Sequence, residues 1–418
     1  MNSQPISSNH DSAIVTGIKT AGIGKKGSKN LEPELLQAIM ADLKSHHISP
    51  LQLGAFLGGL LMKGLSENEH ILKSTFPAGT FDQSRNVCEY LSPEAPQDVK
   101  HLCSLLIDKQ YLDLNQAHTL GKFLLSELPG DGLRGLAASI LRVRYETADE
   151  YAGLLQSIEE TITPYCYQKT SANKPIIQIA EPFDGVDQSN MITPLVANFL
   201  QSLNYTVVSL AGRNSGPKFG NNLLNLAEKL NASFLKTNSD FIHDNPDFGW
   251  YIHQKDLSPA LDRWVDRRKQ IIKRPFLATL ERFVNPLKAD IIIASAFHPP
   301  YGEKMLTVCE RAQFPAAIII RNGIEGTIGF ALKRATKILC TKRQTNGDYV
   351  RHEFEFDAEQ FLNRPVVIEE KVNGPTLDEN VRLIREYLNE GQTHNMHFNL
   401  RIKSTCEGLR QGIEWIKK

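Results

Sequence analysis

The sequence predicts an α/β protein in which an all-helical N-terminal domain precedes a mainly parallel α/β domain. Up to about Thr163, apolar residues such as Leu35, Ile39 and Leu43 recur at helical spacing. After Thr163, short apolar runs of the β type alternate with helical stretches. This alternation predicts a parallel sheet covered by helices on both faces. The chain of 418 residues is long enough for two such domains.

The composition is typical of a globular protein and gives no overall charge signal for a polyanionic partner. The chain is 41% hydrophobic, and its 47 basic residues balance 47 acidic ones. A nucleic-acid role would therefore need locally clustered charge. Six scattered cysteines without a CxxC pair favour a reducing, cytoplasmic location over a zinc or disulfide framework. No apolar run is long enough to span a membrane.

Three segments follow from the composition. We expect residues 1–30 to form a disordered leader, because they are rich in Ser, Asn, Gly and Lys and lack an apolar signal core. Residues 31–165 form the predicted helical domain, and residues 174–418 form the α/β domain with a helical tail.

Two passages of the helical domain resemble each other. GAFLGGLLMKGLSENE begins at Gly54 and GLAASILRVRYETADE begins at Gly135. The alignment pairs these glycines, and also pairs Leu60 with Leu141, Lys63 with Arg144, and Glu69 with Glu150. A duplicated helical hairpin and a chance likeness between two amphipathic helices both account for the pattern.

The elements of the α/β domain follow from its apolar runs. Strands are predicted at Ile176–Ala180, Thr206–Leu210, Ile291–Ala294, Ala317–Ile320 and Ile338–Thr341. Helices are predicted at Ile192–Leu203, Leu223–Leu230, Pro259–Ile272, Phe276–Phe283 and Gly302–Ala312, with tail helices at Asp378–Asn389 and Cys406–Lys417.

The loop after the first predicted strand has the position of a phosphate site but unsuitable residues. A strand-loop-helix step can hold phosphate at the helix N-terminus, where N–H groups are unpaired. Here the loop carries Glu181, Pro182 and Asp184 beside one glycine, Gly185. Proline removes a donor and the carboxylates repel phosphate.

Several motifs between Leu102 and Lys418 occur together in one enzyme family. Asn190 and Thr193 match the Asn and Thr of an Asn-x-Ser-Thr motif, and Gly212–Gly220 is similar to a His-Gly-Asn-Arg loop. Together they resemble the anthranilate phosphoribosyltransferase family, glycosyltransferase family 3. The ungapped match from Ser258 to Pro286 places Arg268 where the family binds anthranilate. The resemblance implies an α/β domain of the phosphoribosyltransferase and nucleoside phosphorylase type, and a homodimer.

The departures from the family pattern are equally specific. Thr327 and Ile328 stand where the family has its magnesium-binding Asp-Glu pair, and neither can replace a carboxylate for a hard cation. Asn190–Leu195, His298-Pro299 and Glu325-Gly326 resemble a divergent branch that lacks this pair and the glycine-rich donor loop. That branch includes dimeric proteins that bind nucleic acid without evident sequence preference.

The resemblance implies a ligand site between the two domains, without naming a catalytic residue. The candidate ligand or phosphate-binding residues are Asp184, Gly185, Asn190, Thr193, Gly212, Arg213, Asn214, Lys218, Arg268, Arg274 and His298. The Gly212–Gly220 loop is equally compatible with an ordinary turn, and His298 with a structural role. His394 and His397 have no third ligand nearby, so no metal site is predicted.

A basic stretch, residues 258–282, has seven basic and three acidic side chains, a net charge of +4. Its nucleic-acid candidates are Arg263, Arg267, Arg268, Lys269, Lys273 and Arg274, and a second basic run is Lys333, Arg334, Lys337, Lys342 and Arg343. A phosphate-tracking groove and an ordinary solvated helix face both fit.

Three hypotheses follow. The leading one is a phosphoribosyltransferase-like protein without anthranilate transfer that binds nucleic acid or a phosphorylated ligand. The alternative is an active, Mg²⁺-dependent pentosyltransferase with another acceptor. The third is a structural or regulatory dimer.

Overall fold

The computed structural model describes residues 12–22, 24, 27–45, 48–163, 174–216, 218, 220–236, 246–297, 299–363, 365–366 and 374–418. The chain divides into two compact units. The first comprises Met1–Glu150 and Arg267–Phe276, and the second comprises Tyr151–Asp266 and Leu277–Lys418. The first unit thus contains a segment that the sequence placed in the α/β domain. Within the described ranges, no helix is both long and apolar enough to cross a bilayer.

The first unit is helical in its described residues. Its helices are α1 (Ala13–Ala21), α2 (Pro33–Lys44), α3 (Pro50–Lys63), α4 (Ser84–Leu91), α5 (Gln97–Ile107), α6 (Leu114–Leu125) and α7 (Asp131–Arg144), with a 3₁₀ turn at Asn68–Thr75 and α8 (Ala148–Glu159) beginning at its end. Local signals explain several helix starts. Ser49 accepts a hydrogen bond from the Gln52 N–H at 3.2 Å, with Pro50 in the first turn of α3. Asp113 and Gln116 form a reciprocal capping box on α6.

Helix α1 corrects the expected extent of the disordered leader. Ile14, Ile18 and Ala21 are buried, and α1 packs on α2 and α3. Their helical spacing places these side chains on one face, which the Ser, Asn and Gly content of the segment concealed. Residues 13–21 therefore belong to the helical unit.

The two similar passages have the same helical boundaries. Helix α6 begins 81 residues after α2 (33 to 114), and α7 begins 81 residues after α3 (50 to 131). Their lengths also agree, at 12 residues for α2 and α6 and 14 for α3 and α7. We therefore propose that the two hairpins are copies of one unit.

A buried carboxylate closes each hairpin in the same way. Glu69 accepts hydrogen bonds from Lys63 Nζ at 2.7 Å and from the Leu31 N–H at 2.8 Å, 38 residues before it. Glu150 accepts them from Arg144 Nη1 at 3.0 Å and from the Leu112 N–H at 3.0 Å, also 38 residues before it. Matched long-range bonds of this kind do not follow from amphipathicity alone.

The second unit contains one eight-stranded sheet in the order β3-β4-β2-β1-β5-β6-β7-β8. The strands are β1 (Ile176–Ala180), β2 (Thr206–Ala211), β3 (Ser233–Phe234), β4 (Trp250–His253), β5 (Ile291–Ala296), β6 (Ala316–Arg321), β7 (Thr336–Arg343) and β8 (Tyr349–Phe356). Strands β1 to β6 pair in parallel, while β6, β7 and β8 pair antiparallel. Because β1, β2 and β5 are buried throughout, their sequences are mostly apolar, interrupted inside the strands only by Gln178, Ser209 and Ser295.

The remaining helices surround this sheet or form the tail. They are α9 (Thr193–Ser202), α10 (Leu223–Leu230), α11 (Gln254–Leu257), α12 (Pro259–Ile271), α13 (Leu277–Leu280), α14 (Pro299–Arg311), α15 (Ala358–Leu362), α16 (Leu377–Glu390) and α17 (Met396–Lys417). The hydrophobic core includes Ile179, Leu200 and Ile293, and Leu409 of the tail belongs to the same cluster.

The predicted fold class is confirmed, as are the five predicted strands, with small shifts at their ends. The sequence missed β3, β4 and β8, because the first two are very short and β8 is largely exposed. The helix predicted at Phe276–Phe283 is only the single turn α13, and α17 begins at Met396 rather than at Cys406.

Candidate functional site

The candidate site lies in the second unit, at the edge of the sheet where the parallel strands end. The loops after β1, β2 and β6 meet at this edge, since parallel strands present their carboxyl ends together. Bonds between these loops tie them to one another. The Val186 N–H donates to Asn221 O at 2.8 Å, and Asn222 Nδ2 donates to Phe183 O at 3.2 Å.

Glu181, the first residue after β1, is a buried carboxylate at the centre of this edge. Its side chain accepts hydrogen bonds from Thr193 Oγ1 at 2.6 Å and from the Ile328 N–H at 3.2 Å. Burial raises the pKa of Glu181 to about 7, although the Thr193 hydroxyl, the Ile328 N–H and the charge of Arg282 favour its ionised form. A carboxyl group that titrates near neutrality at a strand end is a candidate functional group.

Arg282 supplies a buried positive charge close to Glu181. Its Nη1 donates to Ala180 O at 3.2 Å, and only 5% of the residue is exposed. Burial lowers the pKa of this guanidinium, while the charges of Glu281, Glu181 and Asp184 oppose that shift. The pair thus places opposite charges beneath the loop after β1, out of contact with solvent.

Glu325, in the loop after β6, is hydrogen-bonded to the loop after β1. Its carboxylate accepts hydrogen bonds from the Asp187 N–H at 3.0 Å, the Gln188 N–H at 2.9 Å and the Ser189 hydroxyl at 2.6 Å. Lys218 Nζ, from the loop after β2, also donates to it. Three loops are therefore joined at one carboxylate.

The positions expected for a magnesium-binding pair hold no carboxylate. The Thr327 hydroxyl donates to Ile324 O at 2.8 Å and accepts from the Gly329 N–H at 3.2 Å. The Ile328 side chain is fully buried in the hydrophobic core. In the described part of the chain, no group of three His, Cys, Asp or Glu residues could hold a metal ion. These residues do not fit Mg²⁺.

Seven of the eleven predicted ligand residues lie in the loops after β1 and β2. These are Asp184, Gly185, Asn190, Gly212, Arg213, Asn214 and Lys218, with Thr193 at the start of α9. Gly185 has φ +73°, and a Cβ there would stand 2.4 Å from Asn221 O, so the turn requires glycine. Asn190 Oδ1 is buried without a hydrogen-bond partner among the described residues.

Arg213 and the three remaining predicted ligand residues have other environments. Arg213 is held by Asp262 and Asp266, with N–O distances of 2.9 Å to each, so its charge is already neutralised. Arg268 is 1% exposed and Arg274 is exposed, and both belong to the first unit. His298 lies outside the described residues.

The basic stretch does not present all its charges to solvent. Arg268 and Lys273 are buried, which removes them from a nucleic-acid surface. Lys269 and Arg274 are exposed, while Arg263 and Arg267 are partly exposed. Arg267 also forms an ion pair with Asp131 at 3.6 Å. Helical spacing alone could not show that α12 is covered on more than its apolar face.

Lys273 has a structural environment within the first unit. Its Nζ donates to the Ser139 hydroxyl at 2.6 Å. A Cβ on Gly22 would lie 1.8 Å from Nζ, so the ammonium fills the space left by that glycine. Burial, aided by the charge of Arg142, lowers the pKa of Lys273 to about 7.

Sequence reasoning missed Glu181, Arg282 and Glu325 as members of the site. Glu181 was treated only as a repelling charge, and Arg282 only as part of a basic run. Glu325 lies 138 residues from its Asp187 partner. The available sequence signal was the Glu325-Gly326 pair, which resembles the divergent branch. In the structure this pair forms a tight turn in which both residues have positive φ.

The fold is that of the anthranilate phosphoribosyltransferases. The enzyme of Thermus thermophilus superposes with a TM-score of 0.58 at 15% identity, covering 76% of this chain and 90% of that one. The enzyme of Saccharomyces cerevisiae in complex with PRPP and Mg gives a TM-score of 0.47 at 12% identity, covering 91% and 95%. The match to the Thermus thermophilus enzyme confirms the predicted resemblance at the level of the fold.

A relative found by sequence has a description that names no activity. The chain is 23% identical over 229 residues to an uncharacterized protein of Aquifex aeolicus (strain VF5), a match that covers 55% of this chain and 68% of the relative. No protein-family model matches the chain.

Proposed function

We propose that this chain is a phosphoribosyltransferase-like protein that does not transfer a phosphoribosyl group to anthranilate and that binds nucleic acid. The observation that carries the first part is the environment of Thr327 and Ile328. One is bonded within its own turn and the other is in the core. Transfer from a pyrophosphate donor needs a metal ion to neutralise the leaving group, and these residues cannot hold one.

The loop after β1 supports the same conclusion. Its Asp187 and Gln188 N–H groups already donate to the Glu325 carboxylate. Glu181 and Asp184 add further carboxyl groups close to the loop. While Glu325 holds these N–H groups, a pyrophosphate would meet acidic groups where a donor-binding loop offers glycine N–H groups.

The nucleic-acid part rests on exposed cations and one exposed aromatic ring at the sheet edge. Lys333 and Arg334 are exposed, and Arg334 Nη2 donates to Asn322 O at 3.1 Å, directly after β6. Phe297 follows β5 and is 51% exposed. Cations contact phosphates and an aromatic ring stacks on bases, which gives affinity without sequence preference.

Fluorescence anisotropy with short labelled single-stranded DNA and RNA tests this proposal. We expect binding that weakens as salt rises, and a salt slope that falls by about one for each phosphate contact removed. Lys333→Glu with Arg334→Glu should weaken binding, as should Lys269→Glu with Arg274→Glu in the first unit. Arg382→Glu with Arg385→Glu is the charge-matched control, since both arginines are exposed on α16. Absence of binding at low salt, or an equal loss in the control, would refute the nucleic-acid role.

An active pentosyltransferase is the second candidate. It is favoured by the Glu181–Thr193 hydrogen bond, which places a group with a pKa of about 7 beside the predicted donor site. Such an enzyme would use Mg²⁺ and an acceptor that the chain does not identify. Release of pyrophosphate from the phosphoribosyl donor with Mg²⁺ would establish it, and the leading proposal expects none.

The assembly and location of the protein stay predictions. The sequence predicts a homodimer in the cytoplasm, and light scattering of the full chain would measure the first directly.

A further inference from the structure

Four hydrogen-bond donors from two loops converge on the Glu325 carboxylate. They are the Asp187 and Gln188 N–H groups, the Ser189 hydroxyl and the Lys218 ammonium, as described above. Successive backbone N–H groups with a hydroxyl and a lysine are the donor set that proteins use for phosphate groups. Here the anion that fills this set belongs to the chain itself.

The carboxylate is bound as an ion. Its burial opposes ionisation, but the bonds from Lys218, Ser189 and the two N–H groups lower the pKa of Glu325 below its ordinary value. The Glu325 side chain is 13% exposed and that of Lys218 is 18% exposed. The donors therefore lie near the surface, where an anion from solution can reach them.

The loop after β6 adopts an unusual backbone to bring Glu325 into place. Asn322, Glu325 and Gly326 have φ values of +65°, +51° and +83°. A left-handed conformation at a non-glycine residue such as Glu325 costs about 1 kcal/mol or more. The bonds to the donors offset this cost, so the conformation of the loop depends on the anion contact.

We propose that these four donors form a binding site for a phosphate group, and that the Glu325 carboxylate occupies it as an internal competitor that a phosphate-bearing ligand displaces. The site uses none of the cations assigned to nucleic acid above. Asp187 Oδ2 lies 3.9 Å from Lys218 Nζ and weakens the attraction for a second anion. The wild-type chain should therefore bind a free phosphate compound only weakly.

Calorimetric titration of the full chain with inorganic pyrophosphate tests the proposal. If the free site is present in a tenth of the molecules or fewer, Glu325→Ala should tighten binding by roughly tenfold or more. Adding Lys218→Ala to that variant should remove the gain. Glu353→Ala is the matched control, because Glu353 is also paired with a lysine, Lys337, but lies on β8. It should behave as the wild type.

Two results would overturn the proposal. One is a folded Glu325→Ala chain that binds pyrophosphate no more tightly than the wild type, and the other is a gain that survives Lys218→Ala. If Glu325→Ala does not fold, as judged by circular dichroism, Glu325→Gln decides, because it keeps the side-chain size and removes the charge. It should also tighten binding. The pyrophosphate titration uses no nucleic acid, so its outcome is independent of the anisotropy measurement. A gain in pyrophosphate affinity in a chain that binds neither DNA nor RNA would refute the proposed function and leave this site intact.

Discussion

Lys273→Met should reveal a buried lysine that makes the stability of the first unit depend on pH. The native pKa of Lys273 is about 7, against 10.5 for the ordinary group, because the side chain is buried near Arg142. Between these values the unfolded chain binds one proton more than the native chain. Stability contributed by this group therefore rises as pH increases from about 7 to 10.5, and it is lowest below pH 7.

The size of the effect follows from the two pKa values. Each pH unit within the window changes the free energy of unfolding by about 1.4 kcal/mol, so the wild type should gain roughly 3 kcal/mol from Lys273 between pH 7 and pH 10. Methionine has no proton to bind and loses this gain. It also deprives the buried Ser139 hydroxyl of its 2.6 Å bond, at a cost of about 1 kcal/mol that does not vary with pH.

Urea unfolding at pH 7 and pH 10 measures both contributions. The difference in unfolding free energy between Lys273→Met and wild type should shift by roughly 3 kcal/mol between the two pH values, in favour of the variant at pH 7. Lys269→Met is the control, because Lys269 lies on the same segment but is exposed. A difference that is constant with pH would show that Lys273 titrates normally. Binding to DNA should be the same in Lys273→Met and wild type, since the ammonium does not reach the surface.

Two further predictions concern other buried positions. Glu181→Gln removes a carboxyl group whose native pKa of about 7 lies above the ordinary 4.5. The wild type therefore loses stability from this group as pH rises between these values. Urea unfolding should favour the variant over wild type by roughly 2 kcal/mol more at pH 8 than at pH 5, and equal differences would contradict the buried carboxyl. Gly54→Ala and Gly135→Ala should each lower the free energy of unfolding in urea by about 3 kcal/mol, because their Cβ atoms would stand 1.8 Å from Gly132 O and 2.0 Å from Leu51 O. Gly412→Ala is the control. Its nearest contact would be the tip of the Ile318 side chain, so it should change the free energy of unfolding by about 1 kcal/mol or less. Unequal effects at Gly54 and Gly135 would count against duplicated hairpins.

The sequence predicts the second unit well where burial is complete. Strands such as β1 and β5 are buried along their whole length, so their apolar runs mark them directly. Strand β8 is exposed at most positions and offers no such run. Strand β3 has only two residues, too few for any period to be visible. Prediction therefore failed for edge strands that are too short or too exposed to show an apolar period.

The candidate site was predicted by position and not by its bonds. The sequence placed Asn190 and Thr193 after β1 and Lys218 in the loop after β2, because motif spacing is local. It could not find the contact between Glu325 and Asp187, which depends on three loops meeting across the sheet edge. It also assigned Arg268 and Lys273 to a surface, because helical spacing gives a face and not what covers it. Long-range contacts decide both cases.

The contacts between α3 and α7 distinguish an internal repeat from a chance likeness of two helices. A chance likeness between amphipathic helices would reproduce apolar spacing, but it would not make contacts reciprocal. In the α3–α7 pair a Cβ on Gly54 would meet Gly132 O, and a Cβ on Gly135 would meet Leu51 O. Gly135 follows Gly54 by 81 residues and Gly132 follows Leu51 by 81, so the second contact is the first with the copies exchanged. This reciprocity is what a two-fold interface between like units requires, and the chain satisfies it internally.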